Sequence, residues 1–141
     1  MLNGDIYELL KRLENYTNID SNTYCKKDVD RFSQVIEKES REIGFTVIRH
    51  KQNAVGDFLE LTAGHGQKKI LLLGHMDTVF PAGTAANRPF RCDGSRVYGP
   101  GVLDMKGGLS IIVQVMKQIA ADIPAGYRVT AFLNSDEETG S

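Results

Sequence analysis

The sequence has few of the features that mark several large classes of protein. Only two of its 141 residues are cysteine, and neither Cys25 nor Cys92 has a second cysteine or histidine at ligand spacing, so a thiolate metal site is poorly supported. No run of about 18 apolar residues occurs, which speaks against a membrane span. Charge of neither sign is in excess, with 17 Lys and Arg against 18 Asp and Glu, so nucleic-acid or membrane partners are not expected.

The amino-acid composition is that of an ordinary globular domain. Hydrophobic residues make up 41% of the chain and charged residues 25%, which suits one buried core. The start, MLNGDIYELLKRLENY, lacks a basic segment followed by an apolar run, so we expect a cytoplasmic protein. In that reducing compartment the two cysteines are expected to be free, partly buried thiols.

Apolar spacing predicts the main elements. Helical periodicity marks three helices, with apolar positions Ile6, Leu9, Leu10, Leu13; then Val29, Phe32, Val35, Ile36, Ile43; then Leu109, Ile112, Val113, Met116, Ile119 and Ala120. FTVIRH and GDFLELTA predict an antiparallel strand pair, and Gly44 a helix stop before them. The run ILLL at 70–73 suits a strand covered on both faces, and YRVTAFLN a further strand. The order strand, helix, strand predicts an α/β fold with a mostly parallel sheet.

Residues 75–108 predict a long irregular loop, because they carry six glycines and three prolines without sustained periodicity. Loops of this length in a compact domain are usually functional or disordered. The chain stops at SDEETGS, directly after a strand, which we interpret as truncation.

Three polar clusters follow strands or precede a helix. His75 and Asp77 come directly after the apolar strand, where open α/β sheets place ligands; the alternative is a hydrogen-bonded loop histidine. Asp104 in GPGVLDMKGG precedes the third helix, where it could serve as N-cap, or Lys106 and the free amides could bind an anion. Glu137 and Glu138 follow the last strand, where one glutamate could bind a metal ion and the other could transfer a proton. The alternative is an acidic turn exposed to solvent. Together the clusters outline a site for zinc, cobalt or manganese.

These segments match a known family in order and spacing. LLLGHMDTVF, RVYGPGVLDMKGG and LNSDEETGS resemble motifs of the co-catalytic zinc peptidases and deacylases, which include glutamate carboxypeptidase, acetylornithine deacetylase, succinyl-diaminopimelate desuccinylase, aminoacylase and tripeptide peptidase. The stretch HMDTVFPAGTAANRPFRCDGSRVYGPG most resembles the glutamate carboxypeptidase branch. The resemblance implies a three-layer zinc-exopeptidase-like catalytic domain, of which residues 1–141 would form the amino-terminal portion.

The resemblance also implies roles for individual residues. His75 would bind one zinc ion, Asp104 would bridge both, and Glu138 would bind the other. Asp77 would orient His75, and Glu137 would be the general base. In many members an acidic or polar residue follows the bridging aspartate through a cis bond, and here that residue is Met105.

Two further ligands of the family pattern, a downstream carboxylate and a late histidine, have no counterpart in this sequence. His50 and His65 precede the motifs and are expected to be structural or surface residues. The resemblance therefore implies a longer parent enzyme with two zinc ions per subunit, a homodimer, and a fragment that is itself inactive.

The expected activity of that parent is hydrolysis of a peptide or N-acyl amino acid amide bond, as a carboxypeptidase releasing a C-terminal amino acid such as glutamate. Within the same family, an N-acyl amino acid deacylase or a di- or tripeptidase is the alternative. A non-catalytic short form that binds a ligand or partner is an alternative of another class, although such a module would have no need of Glu137.

Overall fold

The computed structural model describes residues 2–140. Its elements are, in chain order, α1 (Leu2–Thr17), α2 (Lys26–Ile43), β1 (Thr46–His50), β2 (Phe58–Gly64), β3 (Lys68–His75), α3 (Thr84–Asn87), β4 (Arg91–Cys92), β5 (Val97–Tyr98), α4 (Gly107–Ala120) and β6 (Tyr127–Asn134). A short 3-10 helix, Glu137–Thr139, follows β6. Within these residues, a helix with the length and apolar character to cross a membrane is not found.

The predicted helices and their stop signal agree with the structure. Gly44 ends α2 in the left-handed conformation, with φ of 102°, and its N–H donates to the carbonyl of Arg41. The next amide, of Phe45, donates to Ser40. Since glycine adopts positive φ at little cost, this residue turns the chain from α2 into β1.

The main sheet has four strands in the order β1-β2-β6-β3. β3 and β6 are parallel and joined through α4, as the strand, helix, strand pattern predicted. The predicted mostly parallel sheet is wrong, however, because β1 pairs with β2 and β2 with β6 in antiparallel fashion. The β1–β2 hairpin extends the sheet through β2, so antiparallel pairs outnumber parallel ones.

The three long helices pack on one face of this sheet. Tyr16 of α1, Phe32 and Ile36 of α2, and Leu109 and Val113 of α4 belong to a single buried cluster. From the sheet, Val47, Leu59, Leu61, Ala131 and Leu133 complete it. Residues 2–140 therefore form two layers, one of helices and one of sheet.

The opposite face of the sheet is open to solvent. Leu71 and Leu73 of β3 are 59% and 66% exposed, and Ile48 of β1 is 48% exposed. Within residues 2–140 the ILLL run is thus covered on one face only, and not on both faces as expected, because α1, α2 and α4 pack on the side of Leu72.

The segment between β3 and α4 is mostly irregular, as predicted, but two small features organise it. The pair β4–β5 forms a two-stranded antiparallel ribbon. Asp20, from the α1–α2 linker, accepts hydrogen bonds from the amides of Gly83 and Ala85 at 2.7 and 2.9 Å and so holds the start of α3. Cys25 and Cys92 are free thiols, as expected, but Cys92 is exposed rather than partly buried.

Candidate metal centre

The parallel pair β3–β6 brings two of the polar clusters to one edge of the sheet. His75, the last residue of β3, stands in register with Asn134, the last residue of β6. The chain leaves β6 and enters the short helix that carries Glu137 and Glu138. Because parallel strands end at the same edge, the imidazole and the paired carboxylates meet there.

The third cluster reaches this edge through an irregular turn before α4. Gly101 has φ of 71°, and Asp104 and Met105 have non-helical backbone conformations joined by a cis peptide bond. The alternative that Asp104 caps the helix is wrong, because α4 begins at Gly107 and its N-cap position is Lys106, without a side-chain cap. The Asp104 side chain instead lies beside His75, with 2.9 Å between Oδ1 and Nε2.

Lys106 does not serve an anion site either. Its side chain is buried, its ammonium donates to the carbonyl of Ile19 at 2.5 Å, and it lies 4.9 Å from the centre of the Phe32 ring. Burial lowers the pKa of Lys106 to about 8, since the charged form loses its hydration. This lysine ties the turn before α4 to the α1–α2 linker.

The structure brings together His75, Asp104 and Glu138, each offering one ligand atom, with these atoms within 4.8 Å of one another. Glu137 stands beside them, with Oε2 at 3.7 Å from His75 Nε2. His75 is buried, whereas the side chains of Asp104 and Glu137 are 72% and 55% exposed. The cluster therefore has a protein-packed side at the imidazole and an open side at the carboxylates.

Asp77 lies beneath this cluster with no exposure to solvent. His75 Nδ1 lies 3.1 Å from the backbone carbonyl of Asp77 and 3.3 Å from its Oδ1, and Oδ1 also accepts the Glu137 amide at 3.2 Å. Its Oδ2 accepts the Glu138 amide, also at 3.2 Å, and the Thr23 hydroxyl at 2.8 Å. One carboxylate thus contacts the imidazole and both glutamate amides at once.

The pKa values of the cluster reflect this crowding. Burial alone would lower the pKa of His75, but its hydrogen bonds with Asp77 and Asp104 outweigh burial and raise it to about 9. Burial opposes ionisation of Asp77, yet hydrogen bonds from His75, Thr23 and the Glu138 amide lower its pKa overall. Burial and the nearby negative charge of Asp104 raise the pKa of Glu138.

This donor set fits a divalent cation. One imidazole and two carboxylates, without thiolate, are ligands that zinc, cobalt and manganese accept. A cation among them would relieve the repulsion between Asp104 and Glu138 that raises the pKa of Glu138. It would also replace the direct contact between His75 Nε2 and Asp104 Oδ1.

The remaining histidines lie outside this cluster. His50 of β1 pairs with Glu60 of β2 at 3.1 Å, and His65 is exposed in the turn after β2. Thr23 also belongs to the site, because its hydroxyl bonds to Asp77, but no sequence pattern marks it. It is 54 residues from Asp77, in a polar stretch that carries no periodicity or motif, and only its neighbouring polar residues hint at turn chemistry.

Comparison with known proteins gives a consistent result. The sequence profile of peptidase family M20/M25/M40 matches residues 71–141, half of the chain. Carboxypeptidase G2 from Pseudomonas sp. (strain RS-16) is 37% identical over 137 residues, covering 94% of this chain and 33% of that protein. Succinyl-diaminopimelate desuccinylase from Xylella fastidiosa (strain M23) is 32% identical over 111 residues, covering 76% of this chain and 29% of that protein.

Solved structures agree on the fold. Human carnosine dipeptidase 1 superposes with a TM-score of 0.80 at 17% identity, over 96% of this chain and 33% of its own. The M20 family metallo-carboxypeptidase Sso-CP2 from Sulfolobus solfataricus also gives 0.80, at 18% identity, over 95% of this chain and 32% of its own. The chain therefore spans about a third of the length of the relatives it matches.

Proposed function

The chain belongs to peptidase family M20/M25/M40, and from this premise we propose that it supplies the amino-terminal portion of a catalytic domain that hydrolyses amide bonds of small peptides or N-acyl amino acids. One observation carries this proposal: ligand atoms of His75, Asp104 and Glu138 converge within 4.8 Å beside the carboxylate of Glu137. A binding module of another class would have no use for the extra carboxylate.

We propose that His75, Asp104 and Glu138 would hold the metal, and that Asp104 would contribute to the binding of both ions. Two Zn²⁺ ions per full-length subunit fit the donor types, and Co²⁺ or Mn²⁺ would fit as well. When bound, the ions would lower the pKa of a water molecule and polarise the carbonyl of the scissile amide.

Glu137 is the group that moves the proton. Its half-exposed carboxylate lies at the open side of the cluster, and among the described residues Oε2 accepts no hydrogen bond from a backbone amide like those that hold Asp77. Oε2 would accept the proton of the attacking water and then deliver it to the nitrogen of the leaving amine, so the carboxylate returns to its starting state. Asp77 would hold Nδ1 of His75 through its main-chain carbonyl, at 3.1 Å, and its carboxylate, at 3.3 Å, and so leave Nε2 to the metal.

The substrate that we favour is a peptide or N-acyl amino acid from which a C-terminal residue such as glutamate is released. The 37% identity to carboxypeptidase G2 supports this choice. Matches to succinyl-diaminopimelate desuccinylase and acetylornithine deacetylase, at 32% and 34% identity, support N-acyl amino acid deacylation as the second candidate. Both reactions cleave an amide bond and differ in the acyl group.

The test uses the full-length gene product loaded with zinc and four substrates: an N-aroyl glutamate, a dipeptide, an N-succinyl and an N-acetyl amino acid. We expect Glu137→Gln to lower kcat by roughly 10²–10⁴ while zinc content stays unchanged, because general-base catalysis contributes that much. Glu42→Gln, at an exposed position of α2, is the matched control and should keep full activity.

Full activity of Glu137→Gln would disprove the base assignment. Zinc binding without hydrolysis of any of the four substrates would disprove the enzymatic function itself. Preference for the N-succinyl or N-acetyl substrate would show that the enzyme is an N-acyl amino acid deacylase and not a carboxypeptidase.

A further inference from the structure

The α1–α2 linker lies directly against the loop that follows β3. Asn22 and Thr78 form an isolated parallel bridge. The amide of Thr78 donates to Ser21 at 2.8 Å, and the amide of Thr23 donates back to Thr78 at 3.1 Å. These backbone bonds fix Thr23 beside Asp77, although the two residues are far apart in sequence.

The side chain of Thr23 uses this position. Thr23 is 4% exposed, and its hydroxyl donates to Oδ2 of Asp77 at 2.8 Å. The second acceptor within reach of that hydroxyl, the carbonyl of Thr78, is farther away at 3.4 Å. Since a hydroxyl has one proton to donate, the shorter bond to the ionised carboxylate is the stronger one.

Asp77 passes the constraint to the rest of the site. Its two oxygens accept hydrogen bonds from the Thr23 hydroxyl and from the amides of Glu137 and Glu138. Oδ1 also lies 3.3 Å from Nδ1 of His75. A carboxylate rotates easily about its terminal torsion, so its orientation depends on the donors around it. A small rotation would change the distances to the imidazole and to both glutamates together.

We propose that Thr23 is a positioning residue of the metal centre: its hydroxyl sets the orientation of the Asp77 carboxylate and thereby the spacing between His75 and the Glu137–Glu138 turn. This inference rests on the proposed function only for its consequence, metal binding. The positioning itself is a property of the metal-free protein.

The chemistry of the side chain allows a clean separation of effects. Thr23→Val keeps the shape and removes the hydroxyl, whereas Thr23→Ser keeps the hydroxyl and removes a methyl group. Thr62→Val is the matched control, because this variant also removes a hydroxyl, which lies 3.2 Å from the hydroxyl of Thr130. Thr62 lies on β2 and faces the open side of the sheet, away from the candidate metal centre.

Two measurements on the full-length gene product test the proposal, after thermal unfolding has shown that each variant folds. The first is amide hydrogen exchange of Glu137 and Glu138 in the metal-free protein. We expect exchange at both amides to be at least about tenfold faster in Thr23→Val, because local opening costs less, and unchanged in Thr23→Ser and Thr62→Val.

The second measurement is a calorimetric zinc titration. We expect Thr23→Val to lower the affinity by about tenfold, the lower end of the range for losing a direct partner of a metal ligand, because Thr23 acts through Asp77. Thr23→Ser should restore the affinity of the parent, and Thr62→Val should not change it.

Unchanged exchange at both amides in Thr23→Val, or faster exchange with unchanged zinc affinity, would overturn the proposal. Failure of Thr23→Ser to rescue would overturn it too, since the hydroxyl would then not be the cause. If the parent protein binds no zinc while Thr23→Val still speeds exchange, the proposed function fails and the positioning role stands.

Discussion

The buried carboxylate of Asp57 offers a sharp test of how the loop beside the candidate site is held. Asp57 lies in the β1–β2 loop, and its side chain is only 3% exposed. Oδ1 accepts the ammonium of Lys26 at 2.8 Å and the amide of Gln52 at 3.1 Å. Oδ2 accepts Lys51 at 2.9 Å, with Arg49 at 3.4 Å.

Asp57→Asn keeps the shape but places an amide NH₂ where one of these oxygens stood. Whichever way the amide turns, a donor then faces donors. Hydrogen bonds to charged groups contribute about 1.5–3 kcal/mol each, but Lys51 is 79% exposed and regains its hydration, so its bond counts for little. We therefore expect a loss of about 2–4 kcal/mol of unfolding free energy at pH 7.

The effect depends on pH with a defined sign. Burial opposes ionisation of Asp57, but bonds from Lys26, the Gln52 amide and Lys51 outweigh it and hold its pKa well below the usual range. A lowered folded-state pKa contributes stability above the unfolded value, about 3.9, and loses it as the pH falls toward the folded value. The difference between wild type and Asp57→Asn should therefore shrink between about pH 5 and pH 2.5.

The assay is urea unfolding of both proteins at several pH values, with Asp122→Asn as control because Asp122 is an exposed acid. A loss below about 0.5 kcal/mol at pH 7, the range of ordinary surface changes, would refute the reasoning. So would a difference between the two proteins that stays constant as the pH falls.

Three further predictions concern packing and metal. A Cβ at Gly66 would overlap the backbone of Gly126, which cannot move aside, so Gly66→Ala should cost about 2–3 kcal/mol in thermal unfolding. The hydroxyl of buried Tyr16 donates to Glu39 at 2.7 Å, so Tyr16→Phe should cost about 1.5–3 kcal/mol in urea unfolding; no loss would contradict that bond. Zinc at 100 times its dissociation constant should add about 2.7 kcal/mol to the full-length protein, a gain that a chelator reverses and Asp104→Asn reduces; an unchanged gain in that variant would exclude Asp104 as a ligand.

Local patterns in the sequence were sufficient to predict the three long helices, the four strands of the main sheet and the meeting of the chemical groups. The helical spacing around Phe32 reflects the stripe that faces the sheet, and the apolar alternation of β6 reflects its buried face. The pattern of strand, helix and strand made β3 and β6 parallel neighbours, which places His75 and Glu138 at one edge whatever the rest of the sheet does. The position of these side chains depends only on the pairing of β3 with β6, so the wrong prediction for β1 and β2 did not affect it.

The errors arose where the outcome depends on distant residues. An apolar run indicates that a strand can be buried, but it does not show which element covers the strand. Leu71 and Leu73 lie on the face of the sheet on which no helix of the described residues packs. Likewise, aspartate before a helix fits a cap as well as a ligand, and the choice between them was made by the turn at Gly101, which carries Asp104 away from the start of α4.

The same distinction explains why the residues that hold the site were harder to find than the residues that act in it. A ligand or base must lie at a strand end or helix start, and such places have local signatures. A supporting group such as Thr23 needs only to lie within hydrogen-bond distance of the site, and it comes from a linker that is held by contacts with residues more than 50 positions away. Closing these long loops lowers the conformational entropy of the chain, and only the contacts made in the folded state offset that cost. Substitutions in the linker that weaken these contacts should therefore disturb the candidate metal centre without changing any of its ligands.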